Sequence, residues 1–361
     1  MHLNNNNYYM QYLKIYSKQD ILDYTKIRRF ETKAGECFQL VTDKQSIENT
    51  LATSSAKYVL LGIEEDIGVK ANLGVGGANT GWQSFLQAFA NIQSNDFFSG
   101  EEVLLLGHFD FSEIEKVIES NANDTLERIN AYRHAVNTID DAIENILKIV
   151  TEHKKIPIVL GGGHNNAYGC IKGAAKGLYK AGVIPLAQIN AINLDAHADF
   201  RPAEGRHSGN AFRYADEDGY LEKYFVIGLH ENYLPQNCWL DIVIDPFIDF
   251  ITYEDIFLNE KRNFIEAVAH ATVFTDDTYC GIELDIDCIE NALSSATSPV
   301  GISVLNARQY INFTARECKV AYLHLAEAAA QLSDGRKDET IGKLLAYLVT
   351  DFIKAFNERV Q

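Results

Sequence analysis

Gln188-Ile-Asn-Ala-Ile-Asn-Leu-Asp-Ala-His-Ala-Asp-Phe-Arg201 begins as an apolar run and ends with ionisable side chains at every second position. The first half, Gln188 to Leu194, is short and aliphatic, the pattern of a buried strand. If the extended backbone continues past Leu194, alternate side chains point the same way, so Asp195, His197 and Asp199 share one face. Two carboxylates and an imidazole left unpaired at one point would repel or need solvent. The usual remedy is a divalent cation at the strand's carboxyl end, which requires the rest of the chain to supply further ligands.

Working outward, the same strand pattern recurs. Lys57-Tyr-Val-Leu-Leu-Gly62, Glu102-Val-Leu-Leu-Leu-Gly107, Ile156-Pro-Ile-Val-Leu160, Tyr224-Phe-Val-Ile-Gly228, Tyr279-Cys-Gly-Ile-Glu-Leu284 and Val320-Ala-Tyr-Leu-His-Leu325 all read as buried strands. Between them lie helical patterns: Trp82 to about Ile92, a long helix with Ile129, Tyr132, Val136, Ile139, Ile143, Ile146 and Val150 on one face, Asn166 to about Gly182, and Ser303 to about Cys318. A last helix near Glu339 to Asn357 shows Ile341, Leu344, Leu348 and Phe352 on one face. Strands alternating with helices predict an α/β fold with a mostly parallel sheet covered on both sides. No linker or repeat divides residues 56–361, so they are expected to form a single domain. Residues 1–55, polar and Asn-rich at the start, read as an N-terminal extension without a motif. The glycine-rich loop Gly74 to Gly81 lacks both the G-x-G-x-x-G spacing and a Walker lysine, which favours a wide turn over a phosphate cradle.

Composition narrows the function. The 361 residues are 47% hydrophobic and 23% charged, enough for one large core. A net charge of -18 argues against nucleic-acid and anionic-membrane partners, which are held by basic patches. The six cysteines form no C-x-x-C pair, so neither a zinc knuckle nor a disulfide framework is indicated and a reducing compartment fits. With no secretory n- and h-region and no apolar run of about 20 residues, a cytoplasmic protein is expected.

In open α/β sheets ligands bind outside the carboxyl ends of the strands. Three such ends carry ligand-type residues: His164 in Gly161-Gly-Gly-His164, the Asp195/His197/Asp199 set, and Asp285 with Asp287. Each alone has an ordinary reading, as a tight turn with a core histidine, a turn cluster, or a solvated strand end. Their coincidence at three ends of one sheet points instead to a dimetal site. Four carboxylates match the charge of two divalent cations, and oxygen-rich donors with two imidazoles and no thiolate favour an ion such as Mn²⁺. Two cations roughly 3.5–4 Å apart lower the pKa of a shared water from about 16 towards neutrality, which is the chemistry of a hydrolase.

These three motifs, in this order, resemble the metal motifs of the ureohydrolase family, the arginases, agmatinases and formimidoylglutamases. The resemblance runs from about Lys57 to the C-terminus. It implies a three-layer α/β/α sandwich with an eight-stranded parallel sheet and two Mn²⁺ per subunit. By the same resemblance His164, Asp195, Asp199 and Asp285 would hold one ion, and Asp195, His197, Asp285 and Asp287 the other, with Asp195 and Asp285 bridging. A carboxylate near the C-terminus, here Glu327, would orient the cationic nitrogen end of the substrate. Its bland alternative is a surface glutamate starting a helix over Ala326 to Leu332. The expected partner is a small amino-acid-derived molecule, and the expected assembly a homo-oligomer.

The chain also departs from the family pattern. Asn165 stands where Asp usually follows the histidine, Glu283 replaces the Ser of Ser-x-Asp-x-Asp, and Glu290-Asn291 replaces Asp-Pro. In the loop Arg201 to Phe212, Ser208 occupies the position of the agmatinase histidine, with His207 one residue earlier. Asp199-Phe-Arg201 and Ser208-Gly-Asn-Ala-Phe212 resemble formimidoylglutamases most, apart from Asn210. A glutamate-derived substrate carries carboxylates that Arg201 or Arg206 could bind; a surface salt bridge is the alternative for either arginine. The resemblance thus implies hydrolysis of N-formimidoyl-L-glutamate, with Asp287 or His207 returning the proton and Ser208 and Asn210 lining the substrate site. His230 is a further possible shuttle. Arginase or agmatinase activity, or a non-catalytic metal-binding member, are the alternatives.

Overall fold

The computed structural model describes residues 5–359; residues 1–4 of the extension and 360–361 lie outside them. Ten strands form one sheet: β1 (Leu13–Lys14), β2 (Gln39–Leu40), β3 (Tyr58–Glu64), β4 (Val103–Asp110), β5 (Ile156–Leu160), β6 (Ile189–Leu194), β7 (Leu221–Leu229), β8 (Ile248–Thr252), β9 (Cys280–Asp285) and β10 (Val320–Ala326). Their order is β1-β4-β3-β5-β10-β9-β6-β7-β8, with β2 also on β4. From β4 to β8 every neighbouring pair is parallel, so the eight long strands form the expected parallel sheet.

Alternation along each strand supplies both layers. Leu60, Ile158, Leu160, Ile192 and Leu194 face a core completed by the helices Gly81–Phe89, Phe264–Phe274, Val304–Glu317 and Ile341–Glu358. Val59, Leu61, Val159, Ile189 and Ala191 face the opposite core under the helices Thr125–Glu152 and Asn166–Lys180. A strand buried on both faces has no polar side, which is why these runs read as continuously apolar. The long helix begins where Asp124 accepts the backbone N–H of Glu127 and buries the anticipated stripe from Tyr132 to Val150.

Two expectations change. Residues 5–55 are an integral edge of the sheet: β1 pairs antiparallel with Phe109 and His108, β2 pairs with Leu104 and Leu105, and Tyr9, Leu13, Ile21, Phe38 and Leu51 are buried. They cover the otherwise open edge of β4, a common defence against unwanted strand pairing. Gly107 permits the approach, since its φ is 134° and a Cβ there would lie 2.1 Å from the Lys14 carbonyl oxygen. Second, β8 was not anticipated. Ile248-Asp-Phe-Ile-Thr252 is a half-buried edge strand interrupted by Asp249, so it lacks the apolar run of its neighbours. No helix among the described residues is long and apolar enough to cross a membrane.

Candidate metal centre

Four adjacent central strands, β5-β10-β9-β6, end level with one another: Leu160 lies beside Leu325, Ala326 beside Asp285, and Leu284 beside Leu194. His164 follows β5, Glu327 follows β10, Asp285 ends β9 and Asp195 follows β6. Residues far apart in sequence therefore meet at one edge.

Local backbone chemistry sets each side chain. Gly162 has φ 72°, and a Cβ on it would meet Asn166 Nδ2 at 2.2 Å and Glu65 Oε1 at 2.7 Å, so only glycine makes this turn. Glu65, fully buried at the end of β3, accepts the Gly163 N–H at 2.8 Å, the Gly68 N–H at 3.1 Å and the Asn166 amide at 3.0 Å. Asp195 Oδ1 accepts the His197 N–H at 2.7 Å, and Asp285 Oδ1 accepts the Asp287 N–H at 2.8 Å, two aspartate turns that direct the following ligand residue. Asp199 and Glu327 adopt left-handed backbone, with φ of 45° and 63°. Such strained non-glycine residues gather at functional sites. At Glu327 the left-handed backbone follows the end of β10, and no helix covers Ala326 to Leu332.

The six expected ligand residues converge in two clusters. His164 Nδ1 lies 2.9 Å from Asp199 Oδ2, 3.1 Å from Asp285 Oδ2 and 3.2 Å from Asp195 Oδ2. His197 Nδ1 lies 3.0 Å from Asp287 Oδ2 and 3.5 Å from Asp195 Oδ1. Asp195 gives one oxygen to each cluster, the arrangement of a bridge, whereas Asp285 joins the first cluster alone. The residues fit a cation: His164 Nδ1 and Asp287 Oδ1 are buried and make no hydrogen bond despite their close neighbours. The lone pairs of these groups face common points that a cation would occupy.

Charge supports the same fit. Burial and the Asp195 charge push the Asp199 carboxyl up to about 6, and burial with the charges of Asp287 and Asp195 lifts Asp285 well above the carboxylate range. Burial lifts Glu327 to about 8. Burial alone would depress His164 and His197, but the surrounding carboxylates drive both well upward. These directions describe a surplus of negative charge, the electrostatic condition that divalent cations neutralise.

A cleft of about 290 Å³ opens onto His197, Asp199, Asp285, Asp287 and Glu327, with Asn72, Arg201, Ser208, Tyr233 and Ser295 along its walls. Glu327 Oε1 accepts the His164 N–H at 3.0 Å, and its Oε2 is buried without a partner. Arg201, about half exposed, reaches Asn72 Oδ1 at 3.3 Å and Glu204 Oε1 at 2.9 Å. Four expected substrate-side residues do not reach the cleft. Arg206 is buried in a two-point pair with Asp140, at 2.8 and 3.1 Å, because the long helix Thr125–Glu152 passes behind the loop. Asn210 is turned inward to Arg206 Nη1 at 2.8 Å. His207 is fully buried, its Nδ1 accepting the Gly209 N–H at 3.1 Å and its Nε2 3.3 Å from Glu204. His230 stacks between Tyr233 and Tyr253 rather than facing the cleft.

Glu65, Asn72, Tyr233 and Ser295 were not singled out from sequence. Glu65 had a detectable signal, a carboxylate at a buried strand's carboxyl end. Asn72 and Ser295 sit on loops and Tyr233 ends the short 3-10 helix Glu231–Tyr233, and only the packed sheet brings them to the cleft. Tyr233 stacks on the His197 ring at 5.1 Å between centroids.

Comparison with known proteins agrees with this geometry. The chain is 26% identical over 336 residues to the formimidoylglutamase of Psychrobacter cryohalolentis, covering 89% of this chain and 93% of that protein. It is 27% identical over 260 residues to that of Streptococcus gordonii, 70% of each chain. The fold matches crystal structures of Trypanosoma cruzi formiminoglutamase with Mn²⁺ (TM-score 0.68, 18% identity, 91% of this chain and 99% of that one) and Bacillus subtilis formimidoylglutamase (0.68, 18%, 92% and 94%). The arginase family model matches residues 56–351. That match spans most of the chain and takes in all six converging side chains, so this protein is a member of the arginase family.

Proposed function

We propose that this chain is a binuclear manganese hydrolase that cleaves the formimino C–N bond of N-formimidoyl-L-glutamate, giving L-glutamate and formamide, a step of histidine degradation. The observation that carries the reading is the pair of ligand clusters sharing Asp195 at the floor of an amino-acid-sized cleft. The names of the relatives and the exposed Arg201 on the cleft wall support the substrate.

His164, Asp195, Asp199 and Asp285 would hold one Mn²⁺, and Asp195, His197 and Asp287 the other. Bound there, the two ions would supply a water acidified towards neutrality. The chain's own groups do the rest. Glu327, on the cleft lining with Oε2 making no hydrogen bond, accepts a hydrogen bond from the substrate's cationic imino nitrogen and so fixes the formimino carbon over the clusters. Arg201 pairs with a substrate carboxylate at the outer wall, where Asn72 and Ser208 also stand. Asp287 takes a proton from the water as the water oxygen bonds to the formimino carbon, the bond from that carbon to the glutamate nitrogen breaks, and Asp287 returns the proton to the departing amine. Asp287 fills that role better than His207, whose ring nitrogens are turned away from the cleft.

Purified protein loaded with Mn²⁺ should release formamide and glutamate from N-formimidoyl-L-glutamate. Urea from arginine or agmatine instead would reassign the substrate. No product from any of the three, or fewer than about two metals per chain by elemental analysis, would overturn the hydrolase reading. Sedimentation tests the expected homo-oligomer.

A further inference from the structure

Glu283 lies two residues before Asp285 on the same face of β9, and His324 pairs with it in register on β10, two residues after Tyr322. Glu283, His324, Tyr322 and His164 are all fully buried. A carboxylate in such a place needs donors, and Glu283 has them: the Tyr322 hydroxyl donates to Oε1 at 2.6 Å and His324 Nδ1 to Oε2 at 2.6 Å. The same Oε2 lies 3.4 Å from His164 Nε2, a buried nitrogen without a hydrogen-bond partner.

The two nitrogens of His164 have opposite requirements. Nδ1 faces three carboxylates and must offer a lone pair to a cation, so in the neutral ring the proton resides on Nε2. A buried N–H left without an acceptor costs roughly 1–3 kcal/mol. The Glu283 carboxylate stands on that side of the ring, already held from two other directions. Resting on the metal reading above, we propose that Glu283 is a positioning residue for the His164 cluster. It holds the Nε2 proton, fixes the ring so that Nδ1 faces the ion, and strengthens the imidazole as a donor, while Tyr322 and His324 hold the carboxylate in place. Fully buried and outside the cleft lining, it acts on one of the two clusters only.

The test is Mn²⁺ titration of metal-free, full-length protein by calorimetry, with the melting temperature of the metal-free protein measured alongside. The wild-type chain should take up two ions. Glu283→Gln should weaken one site about 10- to 100-fold and spare the site built on His197. Tyr322→Phe, which removes one support of the carboxylate, should weaken the same site by a smaller factor. Unchanged affinities in folded Glu283→Gln overturn the proposal. So does equal weakening of both sites with a lowered melting temperature, the mark of a merely structural carboxylate. His164, Glu283 and His324 also stand close enough to share an ion themselves. Three ions in the wild type and two in Glu283→Gln would replace the proposal with a third metal site. If Glu283→Gln does not fold, Tyr322→Phe decides, and unaltered Mn²⁺ affinity there refutes it. A wild-type chain that binds no Mn²⁺ would remove the dimetal reading itself, an outcome distinct from failure of the Glu283 role alone.

Discussion

Replacing Arg206 with Met should destabilise the protein strongly and leave substrate affinity little changed. The guanidinium makes two hydrogen bonds to Asp140, one to Asn210 and one to the Asn165 carbonyl at 2.9 Å, and lies over the rings of Tyr168 and Tyr214. Removing it strands the Asp140 carboxylate in the interior, a change that costs about 3–5 kcal/mol. Taking an unfolding entropy of about 2.1 cal/mol/K per residue over 361 residues, about 4 kcal/mol lowers the melting temperature by about 5 °C. Burial already holds the Asp140 carboxyl above its ordinary value in spite of Arg206, so desolvation outweighs the pair's attraction. The double variant Asp140→Leu/Arg206→Met should therefore lose less stability than the two single changes summed. Thermal melts of the four proteins, with KM for each, complete the cycle. A large rise in KM for Arg206→Met with an unaltered melting temperature would refute this reasoning and return Arg206 to the substrate.

Arg201→Ala, at a half-exposed residue, should raise KM for a dicarboxylate substrate about 10- to 100-fold with the melting temperature unmoved; equal KM values would remove it from the substrate site. Asp195→Asn should abolish both metal sites, and elemental analysis that still finds two ions after Mn²⁺ loading would refute its bridging role. Glu64 is pushed up to about 7, chiefly by burial, so its contribution to stability is complete below pH 4.5 and is lost as the pH rises through about 7. Glu64→Gln should accordingly melt higher relative to wild type at pH 8 than at pH 5, and a pH-independent offset would contradict the assignment. Gly107→Ala places a Cβ against the Lys14 carbonyl and should free the β1 edge to proteolysis while metal uptake persists; an unchanged digestion pattern counts against the close packing.

The long parallel strands and the six candidate ligand residues were legible because their signals are local. An aliphatic run of five to nine residues bounded by turn residues reads as a buried strand, and aspartate-histidine spacings of two at the strand ends marked the candidate ligands, although aspartate turns and the left-handed Asp199, rather than continued strand, aim them. The departures Asn165 and Glu283 were also visible as residues, though not their partners. What sequence missed has one physical cause. β8 is half-exposed and interrupted by Asp249, so its strand character comes from pairing with β7 and not from its own pattern.

The sequence by itself determined the alternating α/β architecture and singled out the candidate ligand residues between Asn193 and Arg201, since strand periodicity and side-chain chemistry act over a few residues. Only the tertiary structure decided between the two arginines of the loop. Arg201 and Arg206 are chemically equal in sequence, five residues apart, and the long helix Thr125–Glu152 places Asp140 against one of them while leaving the other on the cleft wall. It likewise brought Glu65 beneath the glycine turn and set Glu283 beside His164, because the strand order β3-β5-β10-β9-β6 joins strands that the chain makes far apart.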